Sequence, residues 1–266
     1  MFVDSHCHLD RIKHAGSDLN SVVKDAHDAK VEHMLCVAVS VKEFEHMRAK
    51  VSHYPNVSMS CGVHPLHQED ATDYDTLLQH AQRKDVVAVG ETGLDYHYSA
   101  DTKAVQLQSF EDHIKVANVV KKPLIIHTRE AQNDTLSLLD KHYEQDTGAV
   151  LHCFTESLEM AKAAMDMGIY ISISGIVTFK SASDLQNTVK HIPLDKLLIE
   201  TDSPWLAPAP HRGKENQPKY VTRVAEFIAE LKGISVESLA MHTTENFYRL
   251  FNQVKNQQTD LRQAQA

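Results

Sequence analysis

Two histidines, His6 and His8, stand one residue apart in FVDSHCHLD (residues 2–10), at the end of a short apolar run. In a β-strand residues i and i+2 share a face, so the two imidazoles point together while Ser5 and Cys7 point the other way. Two neutral imidazoles on one face are half of a divalent-metal site. The same pair serves equally as two hydrogen-bonded core histidines. Other residues of this kind follow apolar runs further along. His64 comes after VSMSCGV (57–63), Glu91 closes VVAVGE (86–91) and His127 closes LIIH (124–127). His152 lies in AVLHCF (149–154), and LLIET (197–201) leads into Asp202. A lone buried histidine is satisfied by hydrogen bonds. Several imidazoles with two carboxylates on one rim are hard to satisfy without cations. Histidines in the polar segments (His27, His46, His80, His113, His142) show no such placement and are expected on the solvated surface.

Convergence on one rim needs a scaffold. Eight short β-branched runs recur: residues 1–6, 34–39, 57–63, 86–91, 124–127, 149–154, 169–174 and 197–201. Between them lie segments with helical spacing, such as DLNSVVKDAHDA, AVQLQSFEDHIKVANVV and LEMAKAAMDMG, the last stopping on Gly168. Strand–helix alternation means parallel strands with crossover helices. Eight units in a chain of this length predict a single-domain α/β fold, the (β/α)8 TIM barrel, which typically needs about 250 residues. Its site is expected at the C-terminal ends of the strands. An open doubly wound sheet fits the alternation too, but no G-x-G-x-x-G or G-x-x-x-x-G-K-[ST] follows any run. The barrel is expected over 1–251. The polar, Gln-rich stretch 252–266 reads as a tail that extends a last helix or frays.

Composition narrows the class. The chain has 266 residues, 42% apolar and 24% charged, which is ordinary for a soluble globular protein. Nothing approaches the ~18 uninterrupted apolar residues of a membrane span. No basic region precedes an apolar one at the N-terminus, and a cytoplasmic location is expected. Cys7, Cys36, Cys61 and Cys153 lie far apart with no C-x-x-C pair, which reads as reduced core thiols. A net charge of −9 argues against a broad, non-specific grip on duplex nucleic acid. A local basic patch beside a metal is compatible with it.

DSHCHLD, GVHP (62–65), GETGLDY (90–96), IIHTREA (125–131), LHCF (151–154) and ETDSPWLAP followed by HRGKENQP (200–218) carry a resemblance. Together they resemble the TatD family of metal-dependent deoxyribonucleases, part of the amidohydrolase superfamily of barrels. The likeness runs from the first residues to about Phe251 with the motifs in order. It implies that His6, His8, Glu91, His127, His152 and Asp202 hold a pair of divalent metals. His97 and Trp205 stand where the family commonly has tyrosine, which bears on substrate preference.

The residue chemistry agrees. His6, His8 and Asp202 would hold one metal and His127 and His152 the other, with Glu91 bridging them. A glutamate there needs no carbamylated lysine, the bridge used by many barrels of this superfamily. Asp202 is placed to accept or orient a water's proton, so Glu91 and Asp202 are the catalytic candidates. Glu200 and Asp4, by parity with Asp202 and His6, are either partners of ligating histidines or inward polar residues. For substrate, the Pro-rich loop SPWLAPAPHRGKENQP offers Arg212 and Lys214 to phosphate, or is ordinary surface. Trp205 either stacks on a base or simply packs. His64 before Pro65 is a phosphate contact or a turn residue, and Asp95 touches substrate or caps the next segment. Arg129 and Lys180 are weaker phosphate candidates.

Three functions fit these residues. The first is a phosphodiesterase on DNA, an exonuclease at single-stranded ends. The second is a barrel hydrolase of amides or esters such as aminoacyl-tRNA, and the third a non-enzymatic metal-binding protein. The complete ligand set favours an enzyme, and the cations beside the rim with the resemblance favour nucleic acid. Imidazole-rich ligation suits Zn, Mn or Co, and carboxylates with phosphate tolerate Mg. No membrane and no obligate protein partner is implied.

Overall fold

The computed structural model describes residues 1–13 and 18–254. Within them eight strands form one sheet: β1 (Phe2–Cys7), β2 (Val31–Cys36), β3 (Val57–Cys61), β4 (Val86–Asp95), β5 (Leu124–Arg129), β6 (Ala149–Leu151), β7 (Tyr170–Ile173) and β8 (Leu197–Ile199). Each pairs with the next in chain order, always parallel. Helices α1 (Leu19–Asp28), α2 (Phe44–Val51), α3 (Tyr74–Ala81), α4 (Lys103–Val120), α5 (Gln132–His142), α6 (Leu158–Asp166), α7 (Ser183–His191) and α8 (Val221–Lys232) follow the strands in turn, and α9 (Val236–Leu250) closes the order. Several start where a short polar side chain accepts a first-turn N–H: Asp18 from Ser21, Asp73 from Thr76, Ser157 from Met160 and Ser235 from Ser238.

The alternation of strand side chains sorts the core. Met34, Cys36 and Ala38 pack in a large cluster with helix residues such as Phe44, Phe110 and Val224. Leu35 and Val37 join Val3, Ile125, Val150, Tyr170 and Leu198 in a second cluster inside the barrel. Phe247, Leu250, Phe251 and Val254 fill its floor. Val254, within the stretch read as a tail, is therefore buried, and residues 255–266 lie outside the described residues.

Between β8 and β1 the barrel closes without a regular ladder. The seam is an isolated bridge between Cys7 and Ser203, with Asp202 N–H donating to His6 O (2.9 Å) and His8 N–H to Ser203 O (2.7 Å). The buried Asp4 carboxylate adds a side-chain clasp, accepting from Thr201 N (2.8 Å) and Thr201 Oγ1 (2.6 Å). Burial pushes the Asp4 pKa up to about 8 against those bonds. Asp4 is thus a barrel fastener.

Four local expectations change. β2 spans 31–36, not 34–39. β4 continues to Asp95 because Thr92, Gly93, Leu94 and Asp95 pair with β5, so Glu91 sits within a strand and not at its end. Ser5 and Cys7 do not share a face: the β1–β2 register slips between Asp4 and Cys7, placing Cys7 in the outer cluster while Ser5 Oγ meets Ser172 Oγ at 3.0 Å. His113, expected on the surface, is 1% exposed. Its Nε2 accepts the Val63 N–H and its Nδ1 donates to Ser109 O, and burial lowers its pKa to about 4. All four cysteines are free thiols. No helix among the described residues is long and apolar enough to cross a membrane.

Candidate metal centre

Glu91 is the hub. Its Oε2 faces His6 Nε2 (3.4 Å) and His8 Nε2 (3.8 Å). Its Oε1 faces His152 Nε2 (2.6 Å), His64 Nε2 (3.2 Å) and His127 Nδ1 (3.4 Å). Asp202 Oδ1 completes the first lobe at 3.4 Å from His8 Nε2 and 3.7 Å from His6 Nε2. The six residues expected as ligands meet in one place.

Close strand approach makes room for this hub. A Cβ on Gly62 would lie 2.6 Å from Gly90 Cα, and one on Gly93 would lie 2.0 Å from His127 O. Gly93 also holds φ +127°, which favours glycine. The β4–β5 register shifts between Val89 and Thr92, and Glu91 N–H donates to Ala38 O, not to β5. That irregularity turns the carboxylate toward the axis.

Residues behind the ring orient it. His8 Nδ1 lies 2.8 Å from Val37 O, so it donates there and leaves Nε2 with a lone pair. Glu200, 0% exposed, places Oε1 3.3 Å from His152 Nδ1 and accepts the Cys153 N–H at 2.8 Å. Glu200 is therefore the partner of a ring histidine. Asp95, expected at the substrate or as a cap, is the cap and more: it accepts from Tyr98 N–H and sets Oδ2 3.0 Å from His127 Nε2. At 1% exposure its carboxylate is turned to His127 and the Tyr98 N–H.

Charge in the ring follows from this crowding. Burial would raise the Glu91 pKa, but His152, His64 and His127 outweigh it and hold the group well below the usual carboxylate range. Burial likewise opposes ionisation of Asp202, and His8 and His6 override it. His8, His127 and His152 are raised despite burial because Asp202, Asp95, Glu91 and Glu200 face them. Burial lowers His6, reinforced by His152, whose ring stacks on it at 3.9 Å. His64 falls to about 4 for the same first reason.

The donor set fits divalent cations. His6 and His8 bring their Nε2 atoms within 3.1 Å, where both cannot carry a proton. His152 Nε2 lies 2.6 Å from Glu91 Oε1 without the direction of a hydrogen bond, and its Nδ1 is already turned to Glu200. Such nitrogens against ionised carboxylates need either protons or a cation between them. Three groupings have ligand atoms within 4.8 Å of one another: His6, His8 and Glu91; His6, His152 and Asp202; His64, Glu91 and His127. Beside the expected neighbours, His152 also lies with His6 and Asp202, and His64 lies with Glu91 and His127. His64 sits after β3, where Nδ1 accepts the Leu66 N–H and leaves Nε2 for Glu91.

The other substrate candidates lie on the rim. Arg129 is half-buried and Lys180 exposed, and neither has an ion-pair partner among the described residues. Arg212 and Lys214 are exposed, the Arg212 guanidinium 4.4 Å over the Phe179 ring. Trp205 is 48% exposed with its ring 5.1 Å from that of His8. One structural residue went unread. Asn216, 0% exposed, donates through Nδ2 to Thr201 O (2.8 Å) and Trp205 O (2.6 Å), pinning the turn that carries Asp202. An asparagine in a polar, Pro-rich loop has no distinguishing spacing.

Comparison with known proteins agrees with this geometry. The family model described as TatD related DNase matches residues 3–252. The uncharacterized metal-dependent hydrolase YcfH of Escherichia coli (strain K12) is 50% identical over 252 residues, covering 94% of this chain and 95% of the relative. The 3'-5' ssDNA/RNA exonuclease TatD of Escherichia fergusonii is 32% identical over 241 residues, covering 88% and 93%. The crystal structure of YJJV, a TatD homolog from Escherichia coli K12, superposes with TM-score 0.88 at 30% identity, covering 94% and 98%. On these matches the chain belongs to the TatD family of metal-dependent hydrolases.

Proposed function

We propose that the enzyme cleaves phosphodiester bonds of DNA, working as an exonuclease on single-stranded ends, with two divalent cations in the ring. The observation that carries this reading is the division of Glu91, one oxygen toward each group of imidazoles. When bound, such cations supply Lewis-acid polarisation of the phosphoryl group and a nucleophile at neutral pH. His6, His8, His152 and Asp202 would hold one and His64 and His127 the other, with Glu91 serving both. Asp202 is the proton acceptor. Its side chain is 14% exposed against 3% for Glu91 and 0% for Glu200, so its carboxylate alone in the ring is open to the rim. The exonuclease name of one relative supports a nucleic-acid substrate. Arg129, Lys180, Arg212 and Lys214 are the cations at hand for backbone phosphates.

The test is a metal-screened assay on end-labelled single-stranded DNA, run beside duplex DNA, RNA and a panel of amides and esters. Stepwise shortening of the single strand, dependent on added Zn, Mn, Co or Mg, is expected. Turnover confined to amides or esters would replace this reading with a carbonyl hydrolase.

A further inference from the structure

A cleft of about 610 Å³ opens beside the first lobe, outside the ring. Arg11 and Lys13 after β1, His46 and Lys50 of α2, and Pro204 and Trp205 after β8 wall it. That volume is in the range of sites that hold a small molecule. Asp10, Glu43 and Glu215 also line it, and all three are engaged. Glu43 pairs with Arg11, Asp10 lies 3.9 Å from Arg11 Nε, and Glu215 Oε1 accepts the Lys13 N–H at 2.8 Å. Lys50 Nζ is held on the wall by donating to Asp10 O at 2.9 Å. Three acids offset three cations, so the cleft is near neutral overall and has room for no more than a single phosphate beside a flat apolar part. A dense polyanion would meet as much repulsion as attraction there.

Trp205 supplies the flat face. A large apolar side chain that is half exposed usually swings freely, but this one has its backbone fixed at both ends. Its N–H donates to Asp202 O (3.0 Å) and its carbonyl accepts from Asn216 Nδ2. Its ring meets that of His8 at 65°, so the cleft begins where the His6–His8 lobe ends. An exposed ring on a rigid turn loses little freedom when a planar group stacks on it.

We propose that this cleft is a nucleotide subsite, holding the second nucleotide from the scissile phosphodiester with its base on Trp205 and its far phosphate against Lys50 and Arg11. The inference rests on the phosphodiesterase reading and adds a length requirement to it. A substrate with a further nucleotide on that side gains contacts that a dinucleotide lacks.

Trp205 is the one tryptophan of the chain, so its fluorescence reports on the border of this cleft with the His6–His8 lobe. Phosphorothioate-linked tetrathymidylate, which resists cleavage, should change that fluorescence saturably in the metal-loaded enzyme, and Lys50→Ala should weaken the response. The ratio of kcat/KM for a tetranucleotide over a dinucleotide should fall about tenfold in Trp205→Ala, the scale of one lost base stack. Trp205→Phe should restore most of it, which separates stacking from damage to the fold. Fluorescence blind to an oligonucleotide that the enzyme nevertheless cleaves overturns the subsite and leaves the phosphodiesterase reading standing. An unchanged length ratio in Trp205→Ala does the same. If the parent neither binds nor cleaves any oligonucleotide, the phosphodiesterase reading falls and the subsite falls with it.

Discussion

Glu91 Oε1 lies 2.6 Å from His152 Nε2, closer than any other imidazole comes to that carboxylate. One carboxylate therefore links the two halves of the ring. Glu91→Ala should cost more activity and more bound metal than His6→Ala or His127→Ala, because it removes a ligand from both halves while each histidine serves one. Metal content per chain, measured by elemental analysis on variants of matched folding, should fall furthest for the glutamate. Equal losses across the three variants would mean that Glu91 does not bridge.

Among the described residues, Glu200 reaches the ring through His152 and also accepts the Cys153 N–H. Glu200→Gln keeps the volume but removes the acceptor charge that holds His152 in one tautomer. Half-saturation by added metal should move up by about 10–100-fold, the usual effect of losing such a partner. A titration that superimposes on the parent's would show that Glu200 is only an inward polar residue.

His113 gives the protein an acid-sensitive joint behind the ring, against the Val63 N–H beside His64. Its folded pKa is about 4, against 6.5 for an ordinary histidine, because burial disfavours the imidazolium. The unfolded chain then binds more protons than the folded one between those values. Stability from this group is complete above about pH 6.5 and is lost as pH falls toward 4, at up to about 1.4 kcal/mol per pH unit. His113→Gln offers an acceptor to Val63 and does not titrate. Urea midpoints measured from pH 7 to 4.5 should fall less steeply for the variant, and parallel curves would refute the assignment.

Arg212 and Lys214 stand exposed on the loop that Asn216 pins. If they hold backbone phosphates, the double variant to alanine should raise KM for single-stranded DNA. It should also flatten the salt dependence of kcat/KM by about 0.7 in log–log slope per lost contact. Its activity on the oligonucleotide relative to a small chromogenic phosphodiester should drop. A retained slope and KM would make the loop ordinary surface.

The kinds of residue that do the chemistry, and the scaffold that gathers them, were legible along the chain. Imidazoles and carboxylates follow β-branched runs, and eight such runs alternating with helical spacing leave few folds besides a barrel, because parallel strands need crossover helices. That much is local, since periodicity and residue type are properties of neighbouring residues. What each group does was decided by contacts between residues far apart in sequence. His113 has the spacing of a surface helix residue, yet α4 turns it onto the β3 end, where Val63 needs an acceptor. Asp95 sits in a motif with Glu91 but lies behind His127, because β4 runs on along β5. His64 and Glu91 are 27 positions apart and meet at 3.2 Å only because β3 and β4 pack close through Gly62 and Gly90. The slip in β1 frees Cys7 from the face that strict alternation assigns it, and a buried Asp4 fastens the seam that the backbone leaves without a ladder. Register, burial and closure are set by the whole barrel at once, and they divide ligand from partner and both from surface.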